Sequence, residues 1–144
     1  MNNTTELLEA MHKSAEMGKG SLDKLITHID DPAFKTVIAS QAEDYNRIYM
    51  SCDALIKGEG GDDRGIPPIA KAMSGMMMDV KGSIDSSTEN LAKMALKGTQ
   101  MGINELDDAL RTCPTSDQGV INLAREFSEM LERNKKALER YTES

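Results

Sequence analysis

The chain has no tryptophan and only five aromatic rings, Phe34, Tyr45, Tyr49, Phe127 and Tyr141, in 144 residues. A core built around large rings is therefore excluded, and eleven methionines stand in as adaptable apolar filler. Cysteine is scarcer still. Cys52 and Cys113 are too few for a disulfide framework and follow no metal-binding spacing, so both are expected as thiols in a reducing compartment. Positive charge is also short: 17 Lys and Arg face 24 Asp and Glu, for a formal charge of -7. That balance argues against nucleic acid, whose affinity comes from neutralised phosphates, and against an anionic membrane surface. No apolar run approaches the roughly 20 residues of a membrane span. The opening Met-Asn-Asn-Thr-Thr-Glu lacks the basic region and apolar run of a secretory signal. The expectation is one acidic, cytoplasmic domain spanning residues 1–144, with no cofactor.

What the chain does have is helical periodicity. Leu8, Met11, Ala15, Gly18, Leu22, Leu25 and Ile29 alternate by three and four, which predicts a helix over about 4–30. Asp31 and Pro32 then read as the cap and first position of a second helix over 32–57. Its seam is Phe34, Ile38, Gln41, Tyr45, Ile48, Cys52 and Leu55. With so short a join, the two helices must reverse into an antiparallel hairpin.

Gly58, Gly60 and Gly61 end that pattern, and a long connection follows. Within it, Pro67 and Pro68 open a short helix over 67–81. Ile69, Met73, Met76, Met77 and Val80 give this helix one apolar face, and Met73, Met76 and Met77 are the candidate contact face for a homo-oligomer. Ser86 with Glu89 reads as a capping box opening a helix over 87–112, with Ala92, Ala95, Leu96, Thr99, Ile103, Leu106 and Leu110 inward. Thr115 with Gln118 opens the last helix, 116–142, which turns Val120, Ala124, Phe127, Leu131, Asn134, Leu138 and Tyr141 inward. Four long helices of matched length predict an all-α, four-helix bundle of two antiparallel hairpins. The middle connection is long enough to cross the bundle's full length, as in ferritin-like folds, rather than to make an up-and-down turn.

With that layout, the chain resembles a bacterial ferritin-like family of unknown function, whose members have a helical hairpin, an intermediate helix and a second hairpin. The matching residues are Asp30-Asp31-Pro32-Ala33-Phe34-Lys35, Ile69-Ala70-Lys71-Ala72-Met73, Met78-Asp79-Val80-Lys81 and Lys97-Gly98. The resemblance implies the fold and a bacterial source. Where that family tends to carry Glu in the first helix, Glu after the Lys-Gly pair and His in the last, this chain has Lys19, Thr99 and Asn134.

Di-metal bundles place inward Glu on two helices and Glu-x-x-His on the other two. Here the only histidines, His12 and His28, both lie on the first helix. Glu43 with Asn46 has the right spacing, but Asn replaces the ligand and Glu43 points away from the seam. The mid-bundle seam instead reads Gln41, Tyr45, Thr99 and Asn134, with Lys19 on the flank. This neutral layer either fixes helix register or lines a ligand site. Ala15, Gly18, Ala95, Thr99 and Gly102 lie near the same level and predict either close helix packing or a small pocket. His12 reads as a surface partner of Glu16 one turn on, His28 as a cation at a helix end. The expected function is a non-catalytic structural, scaffold or stress-related interaction protein. The alternatives are a ferritin-type di-metal protein or oxidase with a degenerate site, and a small-ligand binder at the polar layer.

Overall fold

A computed structural model describes residues 3–58 and 87–142. The described chain is all-α: α1 (Thr4–Leu25), α2 (Pro32–Gly58), α3 (Thr88–Thr112) and α4 (Gln118–Thr142), with a 3₁₀ turn at Ile26–His28. The expectations for a helix over 67–81 and for the Met73, Met76 and Met77 face lie outside the described residues.

The helix ends follow local chemistry and differ from the sequence reading in three places. The first helix stops at Leu25 rather than near residue 30, because the chain tightens into the 3₁₀ turn, where Ile29 N–H bonds the Ile26 carbonyl at 3.2 Å. Ile29 is then extended, and its side chain remains buried. Asp31 Oδ2 accepts from Phe34 N–H at 2.8 Å and caps α2. The cap of α3 is Ser87, one residue later than the predicted Ser86, and its hydroxyl accepts from Asn90 N–H at 3.2 Å. The cap of α4 is Asp117, not Thr115. Its Oδ1 accepts from Val120 N–H at 3.1 Å, while Thr115 supports it by accepting from Asp117 N–H at 3.1 Å. An acidic cap also favours the positive end of the helix dipole.

α1 packs along α2 and α3 along α4; α1 also lies beside α3, and α2 beside α4. Contacts between helix ends set the directions. Asn3 N–H, at the start of α1, bonds the Pro114 carbonyl, past the end of α3, at 3.0 Å. Phe34, at the start of α2, meets Tyr141, at the end of α4, with ring centroids 4.8 Å apart. Both of these neighbouring pairs therefore run antiparallel. All four helices contribute to one apolar core, in which Leu7, Leu8, Phe34, Ile38, Phe127 and Leu131 are fully buried.

Because every helix touches two neighbours, its buried stripe is wider than a single heptad seam. α1 therefore also buries Thr4, Leu7 and His12, beside the predicted Leu8, Met11 and Ala15. In α3 the inward face is rotated from the predicted one. Leu91, Gly102 and Ala109 are buried, Leu96 and Ile103 are half-buried, and Leu110 is exposed. Leu91 and Leu106 point inward with the small residues Ala92, Ala95, Thr99, Gly102 and Ala109, and Leu96 and Ile103 sit at the edges. A Cβ on Gly102 would lie 3.5 Å from Leu131 Cδ2, ordinary contact distance across the α3–α4 interface.

Candidate functional site: a cleft between α1 and α3

The five residues of the predicted polar layer do not form one cluster. Gln41 and Asn134, both buried, meet across α2 and α4, where Gln41 Nε2 donates to the Asn134 carbonyl at 3.5 Å. That distance is at the limit of a hydrogen bond. Gln41 Oε1 and Asn134 Nδ2 are buried without a hydrogen-bond partner among the described residues. Tyr45 and Thr99 meet across α2 and α3. Lys19 stands apart from both pairs; half-exposed, it pairs with Asp23 one turn on at 2.8 Å.

Tyr45 is the centre of the second pair. Its ring lies against Gly18 of α1, where a Cβ would fall 2.7 Å from Cδ1 and Cζ and nearer still to Cε1. Glycine is therefore required at that position by the approach of the ring. The far side of the ring meets Phe127 edge-on at 6.3 Å. Burial pushes the phenol up to about 12, the Thr99 hydroxyl opposes that shift through a hydrogen bond, and the charges of Glu105 and Asp44 add to it. Thr99 itself donates to the Ala95 carbonyl at 3.0 Å.

Tyr45 and Thr99 also line a cleft of about 320 Å³ between α1 and α3. Four of the five small residues picked out in the sequence, Gly18, Ala95, Thr99 and Gly102, line it. Gly98 does so too, and a Cβ there would meet nothing within 4 Å among the described residues. Met17, Leu22, Leu25, Met94 and Met101 make the walls apolar. Lys97 and Glu105 stand at its edge, both exposed. A smaller hollow of about 150 Å³ continues the cleft toward Ala10 and Ala109, sharing Ser14, Met17 and Glu105 with it. The volume falls in the range of small-molecule sites.

A family model described as a domain of unknown function, DUF2383, matches residues 3–112. The chain belongs to the DUF2383 family. No curated protein and no solved structure gives a significant match to it. Every residue lining the DUF2383 chain's cleft falls inside the matched span, whereas α4 lies beyond it.

One residue of this DUF2383 chain was misread from sequence. His12 is not at the surface. It is 3 % exposed, stacks on Tyr49 at 4.2 Å and 17°, and places Nε2 3.5 Å from Asp53 Oδ1. Asp53 in turn meets Lys57 Nζ at 2.9 Å. The row Thr4, Leu8, His12, at every fourth position, was the available signal, because it continues the inward line of Leu8; the ring then packs against Tyr49 of α2. His28 lies in the 3₁₀ turn, partly exposed.

Among the described residues, no three His, Cys, Asp or Glu side chains gather closely enough to hold a metal ion. The four seam positions at mid-height carry two amides, a phenol and a hydroxyl, which do not fit a carboxylate-bridged pair of metals. Glu43 is exposed. Cys52 is a buried thiol, pushed up to about 12 by burial and by Asp53, while Cys113 is half-exposed. No helix among the described residues is long and apolar enough to cross a membrane.

Proposed function

We propose that this chain is a non-catalytic binding protein on a ferritin-like bundle, and that the α1–α3 cleft is its binding site. The cleft carries the reading. It combines apolar walls with one buried polar pair, Tyr45 and Thr99, and it opens over a helical glycine that the packing of the described residues does not need. Interior glycine costs about 1 kcal/mol against alanine, so a use outside the chain's own packing accounts for Gly98. The ferritin-like topology draws support from the opposed directions of α1 and α3 and of α2 and α4. With α1 and α2 also reversed by their short turn, residues 59–87 join opposite ends of the bundle. A cytoplasmic location and a homo-oligomer belong to the same reading, and light scattering that finds only monomer removes the oligomer.

The test is a titration with N-phenyl-1-naphthylamine, an uncharged apolar fluorophore. Saturable binding of one probe per chain is expected, and it should be lost in Gly98→Phe, whose ring would occupy the cleft. Unsaturable binding, or binding indifferent to Gly98→Phe, would sink the proposal. For the ferritin-type di-metal alternative, calorimetry with Fe(II) or Mn(II) should give no tight two-site isotherm; such an isotherm would replace the present reading.

A further inference from the structure

The space between α1 and α3 does not end at Ser14, and what lies beyond bears on the ligand, an inference that rests on the reading of the cleft as a binding site. The cleft and the smaller hollow meet at Ser14, Met17 and Glu105, which line both. Together they run from Leu25 to Ala10 along α1 and from Met94 to Ala109 along α3. Each wall is therefore roughly 22 Å long at 1.5 Å per residue. Volumes of about 320 and 150 Å³ spread over that length make a trough rather than a round cavity.

The two compartments differ in chemistry. The cleft mixes its methionines and leucines with the hydroxyls of Ser14, Ser21, Tyr45 and Thr99, and carries Lys97 and Glu105 at its edge. Those groups include donors, acceptors and both signs of charge, so the cleft suits polar heads of more than one kind. The hollow is simpler. Its floor is Met11, Leu106 and Phe127, all buried in the core, and Ala10 and Ala109 stand at its far end. Its polar residues are Ser14, shared with the cleft, and the exposed Lys13 and Glu105. Alanine at both end positions leaves room that a larger side chain would fill.

We propose that the ligand of the cleft carries an unbranched apolar tail that passes Met17 into the hollow, and that Ala10 and Ala109 set the greatest length of that tail. The head stays on the cleft side. The tail lies over Met11, Leu106 and Phe127, where each methylene taken fully out of water strengthens binding roughly fourfold. Because the hollow reads only the tail, the dependence on length is the same for anionic and zwitterionic heads.

Displacement of N-phenyl-1-naphthylamine tests this in the full chain, in Ala10→Phe and in Gly98→Phe. The competitors are dodecanoate, hexadecanoate and the lysophosphatidylcholines of the same two chains, each below its micelle concentration. In the full chain the longer tail should displace the probe at a concentration roughly tenfold or more below the shorter one, with either head. Ala10→Phe should cut that gain to less than about threefold while the probe still binds. Gly98→Phe should abolish binding of the probe and displacement by all four. No gain in the full chain, a gain with one head only, or a gain that persists in Ala10→Phe overturns the tail and its length limit and leaves the cleft as the site. Loss of probe binding in a folded Ala10→Phe overturns the division into cleft and hollow. Probe binding untouched by Gly98→Phe overturns the cleft itself. Circular dichroism melting of the variants checks folding. If Ala10→Phe does not fold, Ala10→Leu, a smaller obstruction at the same place, decides by the same measure.

Discussion

Two main contacts join the α1–α2 half of the molecule to the α3–α4 half, and they are built in opposite ways. Between α2 and α4 the chain places four of its five rings: Phe34 against Tyr141 and Tyr45 against Phe127. Between α1 and α3 it places Gly18, Ala95, Gly98 and Gly102, with methionines around them and a cleft of about 320 Å³. In a protein so poor in aromatics, concentrating the rings on one side leaves small residues to form the other. Ring packing therefore resides on the α2–α4 side and accessible space on the α1–α3 side. That asymmetry is the physical basis for placing binding at the second contact.

The largest expected effect tests which side carries stability. Phe34 is fully buried and tilted on Tyr141, so Phe34→Ala should cost about 3–5 kcal/mol in a denaturant melt. Met101 is 51 % exposed at the cleft, and Met101→Ala should change stability by no more than about 0.5 kcal/mol. Equal losses at the two sites would erase the contrast.

The same contrast shows what could be read without coordinates. Period and caps are local, so four helices, the Asp31–Pro32 start of α2 and nearly the whole inward face of α4 were legible. Rotation of a helix about its axis is not local. It depends on where the neighbouring helices sit, and that is why Leu110 was placed inside α3 and His12 outside α1. The polar residues Gln41, Tyr45, Thr99 and Asn134 were legible as inward; how they pair was not. A displacement of an ångström decides whether Gln41 reaches the side chain or the carbonyl of Asn134, and periodicity carries no such detail. The small residues pointed to either tight packing or a pocket, and both occur: Gly18 is pressed by Tyr45, while Gly98 faces open space.

Tyr45 links the two sides, and pH tests its burial. Burial pushes its phenol up to about 12 in the folded protein, against about 10 for a free tyrosine. Between those values the unfolded chain loses its proton while the folded one keeps it, so the unfolded state gains stability as pH rises. The contribution of this group to folding stability should thus be constant below pH 10 and fall between pH 10 and 12, by on the order of 2 kcal/mol. Tyr45→Phe should flatten that part of the profile, while the similarly raised Cys52 thiol leaves a residual slope. An alkaline unfolding curve identical in the two proteins would show that the ring is solvated, and with it that Gly18 is not pressed.

The smallest effects separate the two glycines. Both stand within helices, and in each the change to alanine should gain up to about 1 kcal/mol of helix propensity. At Gly18 that gain meets a buried ring less than 3 Å from the new methyl, and overpacking of this kind costs about 1–3 kcal/mol, so Gly18→Ala should be neutral to destabilising. At Gly98 the methyl meets nothing, so Gly98→Ala should raise the melting temperature. A stabilised Gly98→Ala protein that binds the naphthylamine probe more weakly would show that glycine there serves the cleft rather than the fold. A destabilised one would mean that the chain's own atoms occupy the space over Gly98, and the distinction between the two sides of the bundle would fail at that point.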